Sequence, residues 1–320
     1  MAQVPFEFLH SSLQSEVPGD PIVTSGATLT WEAPGILTIE PHEQSHLPAA
    51  IVSVGVHGDE TVPIRLVDQW LRGLVDTGYV VKRPFLVLLA NPAAVQAESR
   101  FVEHNMNRLF STQSSAGEDE EVRRARSLMR AVKWFTDRYP DGLHFDMHST
   151  IKPSDRERFA LVPPDCAERN LTNLMKWFQR FEVDAWVQNR SAAATFASYS
   201  ARLGYLSATL ELGQVSSLDE PLDRFLPLIA ELDGLAKGPS TPSGHMTQGY
   251  QVLREIIRPE GGFEVCLEGF VNFRPLSAGT VIARGDTEEW VVEQSGDALL
   301  FLNAKVPVGH RVALVIRPNP

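Results

Sequence analysis

The chain has few cysteines, no excess of basic residues and no long apolar run, and each shortage excludes a class of protein. Only two cysteines, Cys166 and Cys266, occur among 320 residues, which is too few for a disulfide framework or a thiolate metal site. Acidic residues outnumber basic ones by 40 to 29, whereas nucleic-acid binding needs a concentrated basic surface. No apolar run approaches the roughly 18 residues of a membrane-spanning helix. We therefore expect neither nucleic acid nor a membrane as a partner.

The residues that are present suit one large hydrophobic core with a smaller second unit. Hydrophobic residues make up 43% of the 320 positions, which is enough for such a core. The start of the chain has neither the basic segment nor the apolar stretch of a signal peptide. We therefore expect a cytoplasmic protein. Nothing in the sequence indicates an oligomeric state.

Strand-like apolar runs alternate with segments of helical spacing, which predicts an α/β fold with a mostly parallel sheet covered by helices. The predicted strands are residues 49–55, 84–90, 143–147 and 206–210. The predicted helices cover residues 66–74, 122–135, 171–178 and 222–235. The acidic run at 118–121 suits the positive end of a helix dipole, so we expect it to begin the second of these helices.

A polar segment with two prolines, residues 237–244, predicts a boundary between two domains. Beyond it the strand-like segments are short and are separated by glycine turns. We therefore predict a larger α/β domain at 1–243 and a small β domain at 244–320. The short strands expected in the small domain are residues 263–267, 280–283, 290–292 and 311–316.

Polar residues follow or end three of the predicted strands. His57 and Glu60 form a His-x-x-Glu pair after the first strand, His148 follows the third, and Glu211 ends the fourth. Ligands in open α/β sheets gather beyond the carboxyl ends of strands, so we expect these groups to meet. A His-x-x-Glu pair alone also occurs in ordinary turns. With the distant His148 it forms the ligand set of a catalytic zinc that keeps one position open for water.

Five short motifs, in this order, resemble the succinylglutamate desuccinylase/aspartoacylase family of zinc amidohydrolases, which have the zinc carboxypeptidase fold. The motifs are Gly-x-His-Gly-x-Glu at 55–60, Asn-Pro at 91–92, Arg100 with Asn-Met-Asn-Arg-Leu-Phe at 105–110, Asp-x-His-Ser-Thr-Ile at 146–151, and Glu-Leu-Gly at 211–213. The resemblance covers most of the chain. It implies a mixed sheet flanked by helices in a catalytic domain, with a smaller C-terminal β domain that contributes to the active-site cleft or narrows it.

The resemblance also implies roles for five of the residues named. One Zn²⁺ per chain would be held by His57, Glu60 and His148. Such a metal lowers the pKa of a bound water toward ~7. Glu211 would be the general base that then protonates the leaving amine. Arg100 would polarise the scissile carbonyl together with the zinc.

For the substrate, the resemblance implies a small anionic N-acyl amino acid. Asn107 and Arg108 would bind its α-carboxylate, because a guanidinium fork matches a planar carboxylate. Arg202 would supply a further substrate contact, and Arg190 is the competing assignment. The net charge of −11 requires local arginines to reverse the field around such a substrate.

Asp146 has two interpretations. It either orients His148 by accepting its ring N–H or ties down a neighbouring loop. Asn105 stands where many relatives carry Asp. The histidines outside the motifs are expected to be ordinary: His104, His144, His245 and His310.

Two classes of function remain open. The first is hydrolysis of N2-succinyl-L-glutamate to succinate and L-glutamate, the last step of arginine catabolism through succinylated intermediates. Its nearest rival among enzymes is an aspartoacylase-like or other N-acyl amino-acid deacylase, because the motifs do not define the acyl pocket. The second class is a zinc-containing binding protein without catalysis. Glu211 and Arg100 argue against it, since neither is needed to hold a metal.

Overall fold

A twelve-stranded mixed sheet forms the centre of the computed structural model, which describes residues 7–15, 17, 19–111, 117–166, 171–190, 193–214, 222–238 and 244–319. The strands in chain order are β1 (Ile22–Val23), β2 (Ala27–Ala33), β3 (Ile36–Pro41), β4 (Ala49–Val54), β5 (Phe85–Leu89), β6 (Gly142–Thr150), β7 (Phe159–Val162), β8 (Ala185–Gln188), β9 (Leu206–Gln214), β10 (Gln248–Ile257), β11 (Phe263–Val265), β12 (Val281–Gly285), β13 (Glu289–Val291), β14 (Ala298–Leu300) and β15 (Arg311–Pro318). The order in the sheet is β1-β2-β3-β5-β4-β6-β9-β7-β8-β10-β15-β14.

The centre of this sheet is parallel. Strands β5, β4, β6 and β9 run side by side in the same direction, and β4, β5 and β6 are buried along their whole length. This burial explains their nearly continuous apolar sequences, since both faces of the sheet are covered. Their carboxyl ends therefore meet at one edge, where the motif residues lie.

Helices cover both faces of the parallel centre. They are α1 (Phe8–Leu13), α2 (Thr61–Thr77), α3 (Pro92–Gln96), α4 (Glu120–Arg138), α5 (Thr172–Arg180), α6 (Phe196–Arg202) and α7 (Leu226–Lys237), with 3-10 turns at Met106–Arg108, Pro164–Cys166 and Asp223–Phe225. On one face, apolar residues of α2, α5 and α7 pack against alternate residues of β4 such as Val52. On the other, residues of α4 and α6 pack against Ile51 and its neighbours.

The helix ends follow the expected local chemistry. Helix α2 ends at Gly78, which has a φ of 58°, a left-handed conformation that favours glycine. Helix α4 begins after Asp119, whose side chain accepts a hydrogen bond from the Val122 amide, so the acidic run begins a helix as predicted.

The C-terminal region contains the small β domain that the sequence predicted. Strands β11, β12 and β13 form a separate three-stranded sheet. Strands β10, β15 and β14 instead extend the large sheet, because β10 pairs in parallel with β8. Residues 239–243 of the predicted boundary segment lie outside the described residues, so the division at 243/244 stays a prediction.

Two predicted strands were too short. Strand β6 continues through His148 to Thr150, and β9 continues through Glu211 to Gln214. Both residues lie within strands rather than beyond them, because the backbone ladder between β6 and β9 pairs His148 with Glu211. Seven strands were not predicted: β1, β2, β3, β7, β8, β10 and β14. No helix in the described ranges is long and apolar enough to cross a membrane. Cys166 and Cys266 do not form a disulfide.

Candidate active site

His57, Glu60 and His148 converge at the carboxyl edge of the parallel strands. The Nδ1 atom of His57 lies 2.7 Å from Glu60 Oε1, and Nδ1 of His148 lies 2.8 Å from Glu60 Oε2. All three side chains are buried, and one ligand atom from each lies within 4.8 Å of the others. The structure therefore brings together the three residues predicted to bind metal.

Two glycines of the Gly-x-His-Gly-x-Glu motif shape the turn that carries His57. Gly55 has a φ of 67°, which favours glycine at the end of β4. A Cβ on Gly58 would lie 2.1 Å from the Ala94 carbonyl carbon, so α3 approaches this backbone closely. The Gly58 amide donates to the Arg100 carbonyl at 3.3 Å. Glu60 then precedes the first residue of α2, and both ligands occupy a closely packed turn.

Each histidine has a hydrogen-bond partner on its outer nitrogen. His148 Nε2 lies 3.0 Å from Asp146 Oδ2, and His57 Nε2 lies 3.1 Å from Asn105 Oδ1. These bonds leave both Nδ1 atoms facing Glu60, which is how outer partners orient metal-binding imidazoles. Asp146 thus contacts His148, as one of its two interpretations expected. The role of Asn105 was not predicted.

A row of buried polar groups continues from Asp146 across the sheet. Ser53 Oγ donates to Asp146 Oδ1 at 2.6 Å and lies 2.8 Å from His144 Nε2. The Nδ1 atom of His144 lies 2.6 Å from Ser200 Oγ in α6. His144 was expected to be ordinary, and roles for the two serines were not predicted. The available signal was the alternation of His144, Asp146 and His148, which places all three on one face of β6.

The charges of this cluster are mutually dependent. Burial lowers the pKa of His57, which keeps the ring neutral. Burial also acts to lower the pKa of His148, but the carboxylates of Asp146 and Glu60 outweigh it and raise that pKa well above its usual value. Burial acts to raise the pKa of Glu60, and the two histidines outweigh it and hold that pKa well below its usual value.

This donor set fits a divalent metal. Two imidazole nitrogens and one carboxylate are three protein ligands, the number that a catalytic zinc site uses when it keeps a position open. Glu60 is ionised and His57 is neutral, as metal ligands must be. A cation here would replace the proton shared by His148 and Glu60. His57, Glu60 and His148 could therefore hold a metal ion.

Glu211 lies beside the ligand group on the neighbouring strand. It is the register partner of His148 in the parallel pair β6–β9, so the two residues are adjacent across the sheet. Burial raises the pKa of Glu211 to about 7, and repulsion from Glu60 adds to the effect. A carboxylate with such a pKa can both accept and return a proton near neutral pH.

Arg100 is a cation in direct contact with a ligand. Its Nη1 donates to Glu60 Oε1 at 2.9 Å, and 35% of its side chain is exposed. A guanidinium that is fixed at one side and open to solvent at the other can also donate to a substrate oxygen. The substrate role of Arg100 stays a prediction.

Asn107 and Arg108 lie in the 3-10 turn Met106–Arg108. Asn107 is buried, and its Oδ1 accepts from the Phe196 amide at 3.1 Å. Arg108 is exposed and donates from Nη1 to the Asn107 carbonyl at 2.7 Å. Partial desolvation, with repulsion from Arg311 and Arg100, lowers its pKa to about 10. Arg311 of β15, which the sequence analysis did not single out, therefore adds a third positive charge nearby.

The two competing arginines make contacts elsewhere. Arg202 donates to the Phe110 carbonyl at 2.8 Å, and its guanidinium lies 6.0 Å from the centre of the Tyr199 ring. Arg190 donates to Gln251 at 3.4 Å. None of these contacts involves the ligand group, so a substrate role for Arg202 or Arg190 stays a prediction.

Comparison with known proteins identifies the relatives of this chain. The family model of the succinylglutamate desuccinylase/aspartoacylase catalytic domain matches residues 46–232, and that of the AstE/AspA barrel-sandwich hybrid domain matches residues 245–319. A succinylglutamate desuccinylase of Yersinia enterocolitica is 31% identical over 97% of this chain and 96% of its own length.

Solved structures give the same result. The structure of the succinylglutamate desuccinylase of Vibrio cholerae superposes on this chain with a TM-score of 0.89 at 28% sequence identity. The alignment covers 99% of this chain and 96% of the other. That of Vibrio parahaemolyticus has a TM-score of 0.89 and 26% identity, with coverage of 98% and 96%. These relatives support a hydrolase that removes an acyl group. The chain belongs to the succinylglutamate desuccinylase/aspartoacylase family.

Proposed function

We propose that the protein is a zinc-dependent amidohydrolase that cleaves N2-succinyl-L-glutamate to succinate and L-glutamate. The observation that carries this proposal is the convergence of His57, Glu60 and His148 within 4.8 Å, with Glu211 at a pKa of about 7 on the adjacent strand. The cofactor would be one Zn²⁺ per chain. The names of the relatives, at about 30% identity, support succinylglutamate as the substrate.

The residues around the ligands supply the acid–base chemistry. When bound, zinc supplies a Lewis acid that makes a water nucleophilic near neutral pH. Glu211, when deprotonated, accepts a proton from the attacking water. It then delivers that proton to the leaving amine, since an amide nitrogen leaves poorly unless it is protonated. Its pKa of about 7 suits both halves of the task.

The arginines bind and polarise the substrate. Arg100 donates to the carbonyl oxygen as negative charge develops there, an interaction that is typically worth about 3 kcal/mol of barrier. Arg108 pairs with the α-carboxylate of the glutamate half, and Asn107 supports that contact. The repulsion of Arg108 by Arg311 and Arg100 marks a positive region in a chain whose net charge is −11. Such a region attracts an anionic N-acyl amino acid.

Two alternatives differ from this proposal in testable ways. An aspartoacylase-like or other N-acyl amino-acid deacylase would use the same machinery with a different acyl pocket. A zinc-containing binding protein without catalysis would need no base, and the raised pKa of the buried Glu211 favours an enzyme over it. We also propose that the enzyme acts in the cytoplasm, in the last step of arginine catabolism through succinylated intermediates.

Release of the free amino acid, glutamate or aspartate according to the substrate, distinguishes these functions. The zinc-loaded protein is assayed with N2-succinyl-L-glutamate, N-acetyl-L-aspartate and N-acetyl-L-glutamate in parallel. A preference for the succinyl compound of about 100-fold or more, roughly 2.7 kcal/mol in transition-state binding, supports the proposal. Activity on an acetylated acid alone indicates another deacylase. No release from any of the three, with zinc bound, indicates a binding protein.

A further inference from the structure

The segment from Arg100 to Asn105 contacts the ligand group at both of its ends. At one end, Arg100 donates to Glu60 Oε1 at 2.9 Å. At the other, Asn105 Oδ1 lies 3.1 Å from His57 Nε2. The segment contains neither helix nor strand, so no regular pattern of backbone hydrogen bonds within it fixes its conformation. Its position nevertheless decides where the Arg100 guanidinium and the Asn105 amide stand relative to the ligands.

One buried carboxylate binds the middle of this segment. Glu121 is 1% exposed. Its Oε1 accepts from the Val102 amide at 2.9 Å and from Asn91 Nδ2 at 2.7 Å. Its Oε2 accepts from the amides of Glu103 at 2.8 Å and His104 at 2.5 Å. An ionised carboxylate offers about four acceptor positions, so these donors, three of them consecutive backbone amides, use them all.

The carboxylate itself stands on rigid elements. Glu121 lies in the first turn of the 19-residue helix α4. Asn91 follows strand β5, and its Oδ1 accepts from the Ala94 amide at the start of α3. Burial acts to raise the pKa of Glu121, but the donated hydrogen bonds outweigh it and lower that pKa. Glu121 is therefore an ionised group that joins the 100–105 segment to a helix and to the edge of the sheet.

The other contacts of the middle of the segment lie at the surface. The side chains of Phe101 and Val102 are 39% and 53% exposed, so they bury little apolar surface. Ser99 Oγ donates to the Phe101 carbonyl at 3.2 Å, and His104 Nε2 lies 3.0 Å from Asp119 Oδ2, but both contacts are at least partly exposed and such contacts contribute little. The bonds to Glu121 are thus the principal anchor of the middle of the segment.

We propose that Glu121 is a positioning residue for the hydrolysis: by binding the amides of the 100–105 segment it aims Arg100 at the scissile carbonyl and keeps Asn105 on His57. This role rests on the proposed function. Glu121 touches neither the ligand group nor a substrate, and it acts through Arg100 and Asn105. Misplacement of a catalytic group by about 1 Å can cost about 100-fold in rate, so a loss of this anchor should reduce turnover.

Glu121→Gln tests the proposal, with Glu120→Gln as its matched control. The substitution keeps the size of Glu121 but turns one acceptor oxygen into an NH₂ group that faces amide donors. The control removes a charge from the same helical turn at an exposed position. Hydrogen exchange of the 102–104 amides in the metal-free protein should accelerate about tenfold or more, because local opening controls exchange. The control should match the wild type.

Measurements of kcat and KM distinguish a loss of positioning from a general loss of structure. With zinc loaded at one per chain, kcat of Glu121→Gln should fall about tenfold or more while KM changes less than about threefold, because Arg100 acts on the developing charge and not on binding. The melting temperature should fall by a few degrees relative to the control, because buried amide donors lose an acceptor, and the kinetics are measured well below the transition. If Glu121→Gln does not fold, the same measurements are made on Glu121→Asp. This variant keeps the charge, but its shorter side chain moves the carboxylate oxygens away from the amides.

Two results would overturn the role of Glu121. One is faster exchange at 102–104 with kcat unchanged, which would mean that the position of the segment does not matter. The other is a fall in kcat without faster exchange there, which would mean that the effect takes another route. A wild-type protein that cleaves none of the three acyl amino acids would instead remove the proposed function, and this role with it.

Discussion

Two buried glutamates beside each other have opposite tendencies toward protons. Glu60 lies between two imidazoles that hold its pKa well below its usual value. Burial and the charge of Glu60 raise the pKa of Glu211 to about 7. Environments that push apart the pKa values of like groups assign them different roles. Glu60 is thereby suited to bind a cation and Glu211 to transfer a proton.

Glu211→Gln separates these two roles. We expect kcat to fall about 100- to 10,000-fold, because the general base and acid is removed, while zinc content stays near one per chain. Metal analysis and steady-state kinetics on the same preparation check this result, with His57→Ala, which should lose the metal, as the comparison. Loss of zinc from Glu211→Gln would mean that Glu211 is a ligand.

The pKa of Glu211 also predicts the pH dependence. The base must be deprotonated, so kcat/KM should rise with pH through the pKa of Glu211 in the free enzyme. Burial and Glu60 place that value at about 7, and a bound cation lowers it further. The midpoint of the acid limb should therefore lie at or below about 7. An acid limb above this value, or one that persists in the residual activity of Glu211→Gln, would assign the base elsewhere.

Arg108 should act mainly on binding. Arg108→Ala removes a charged hydrogen-bond donor from the α-carboxylate, and we expect KM to rise about 10- to 100-fold, equivalent to about 1.5–3 kcal/mol. Arg126→Ala is the control, because Arg126 lies on α4 and forms an exposed ion pair with Glu118. An unchanged KM in Arg108→Ala would exclude Arg108 from the substrate site.

At the scale of elements, two long apolar runs were predicted as strands with nearly correct bounds, whereas the short apolar strand β7 was missed. Strands β4 and β5 lie within a residue or two of their predicted bounds. Strand β2 alternates between buried and partly exposed residues and was not predicted, since its polar positions interrupt the apolar run. Strands β6 and β9 were cut short because polar residues of the site lie inside them.

The candidate site could likewise be predicted only in part. The convergence of His57, Glu60 and His148 could be predicted because the motifs contain the residue types at the family's spacing. The contacts of Asn105 with His57 and of Ser53 with His144 could not, since these residues are 48 and 91 positions apart in the chain and no motif pairs them. Only the folded chain brings such groups together. Arg311 is a similar case, because its charge acts on Arg108 although the two residues are far apart in the chain.

The close approach of α3 to the turn at Gly58 makes an element-scale prediction. Gly58→Ala would place a Cβ 2.1 Å from the backbone of Ala94, so the turn that carries His57 and Glu60 must move. We expect a loss of about 1–3 kcal/mol of stability and weaker zinc binding, measured by thermal unfolding and by competition with a chelator. Gly73→Ala is the control: nothing lies within 4 Å of its added Cβ, and in a helix it should stabilise by about 0.5–1 kcal/mol. Equal zinc affinity in both variants would contradict the prediction.

At the scale of the whole molecule, one sheet joins the two predicted domains. A shared hydrophobic cluster contains Phe159, Ala185 and Val187 from β7 and β8 together with Tyr250 and Val252 from β10. The small domain also reaches the loop after β6, where Arg274 pairs with Asp155 at 2.9 Å and the Asp155 amide donates to the Asn272 carbonyl. The two parts should therefore depend on each other for stability.

Calorimetry and truncation check this dependence. The full chain should unfold in one cooperative transition, because a shared core couples its parts. A chain that ends at residue 243 would expose the edge of β8 and half of the shared cluster, so it should aggregate or unfold at a lower temperature. Two separate transitions, or a truncated chain as stable as the whole, would show that the domains are independent.

In the buried row of polar groups from Ser200 to His148, the donor and the acceptor of each hydrogen bond can be assigned. Asp146 is ionised, because its buried carboxylate is held below its usual pKa by His148, so it only accepts. Ser53 therefore gives Asp146 its single hydrogen and must receive one from His144, which is neutral because burial lowers its pKa to about 4. The other nitrogen of His144 then takes the hydrogen of Ser200. The ionised Asp146 thus fixes the tautomers on both sides of it. It accepts the Nε2 hydrogen of His148, so that Nδ1 of a neutral His148 is left to face a cation, and through Ser53 it makes His144 a donor at Nε2 and an acceptor from Ser200 of α6.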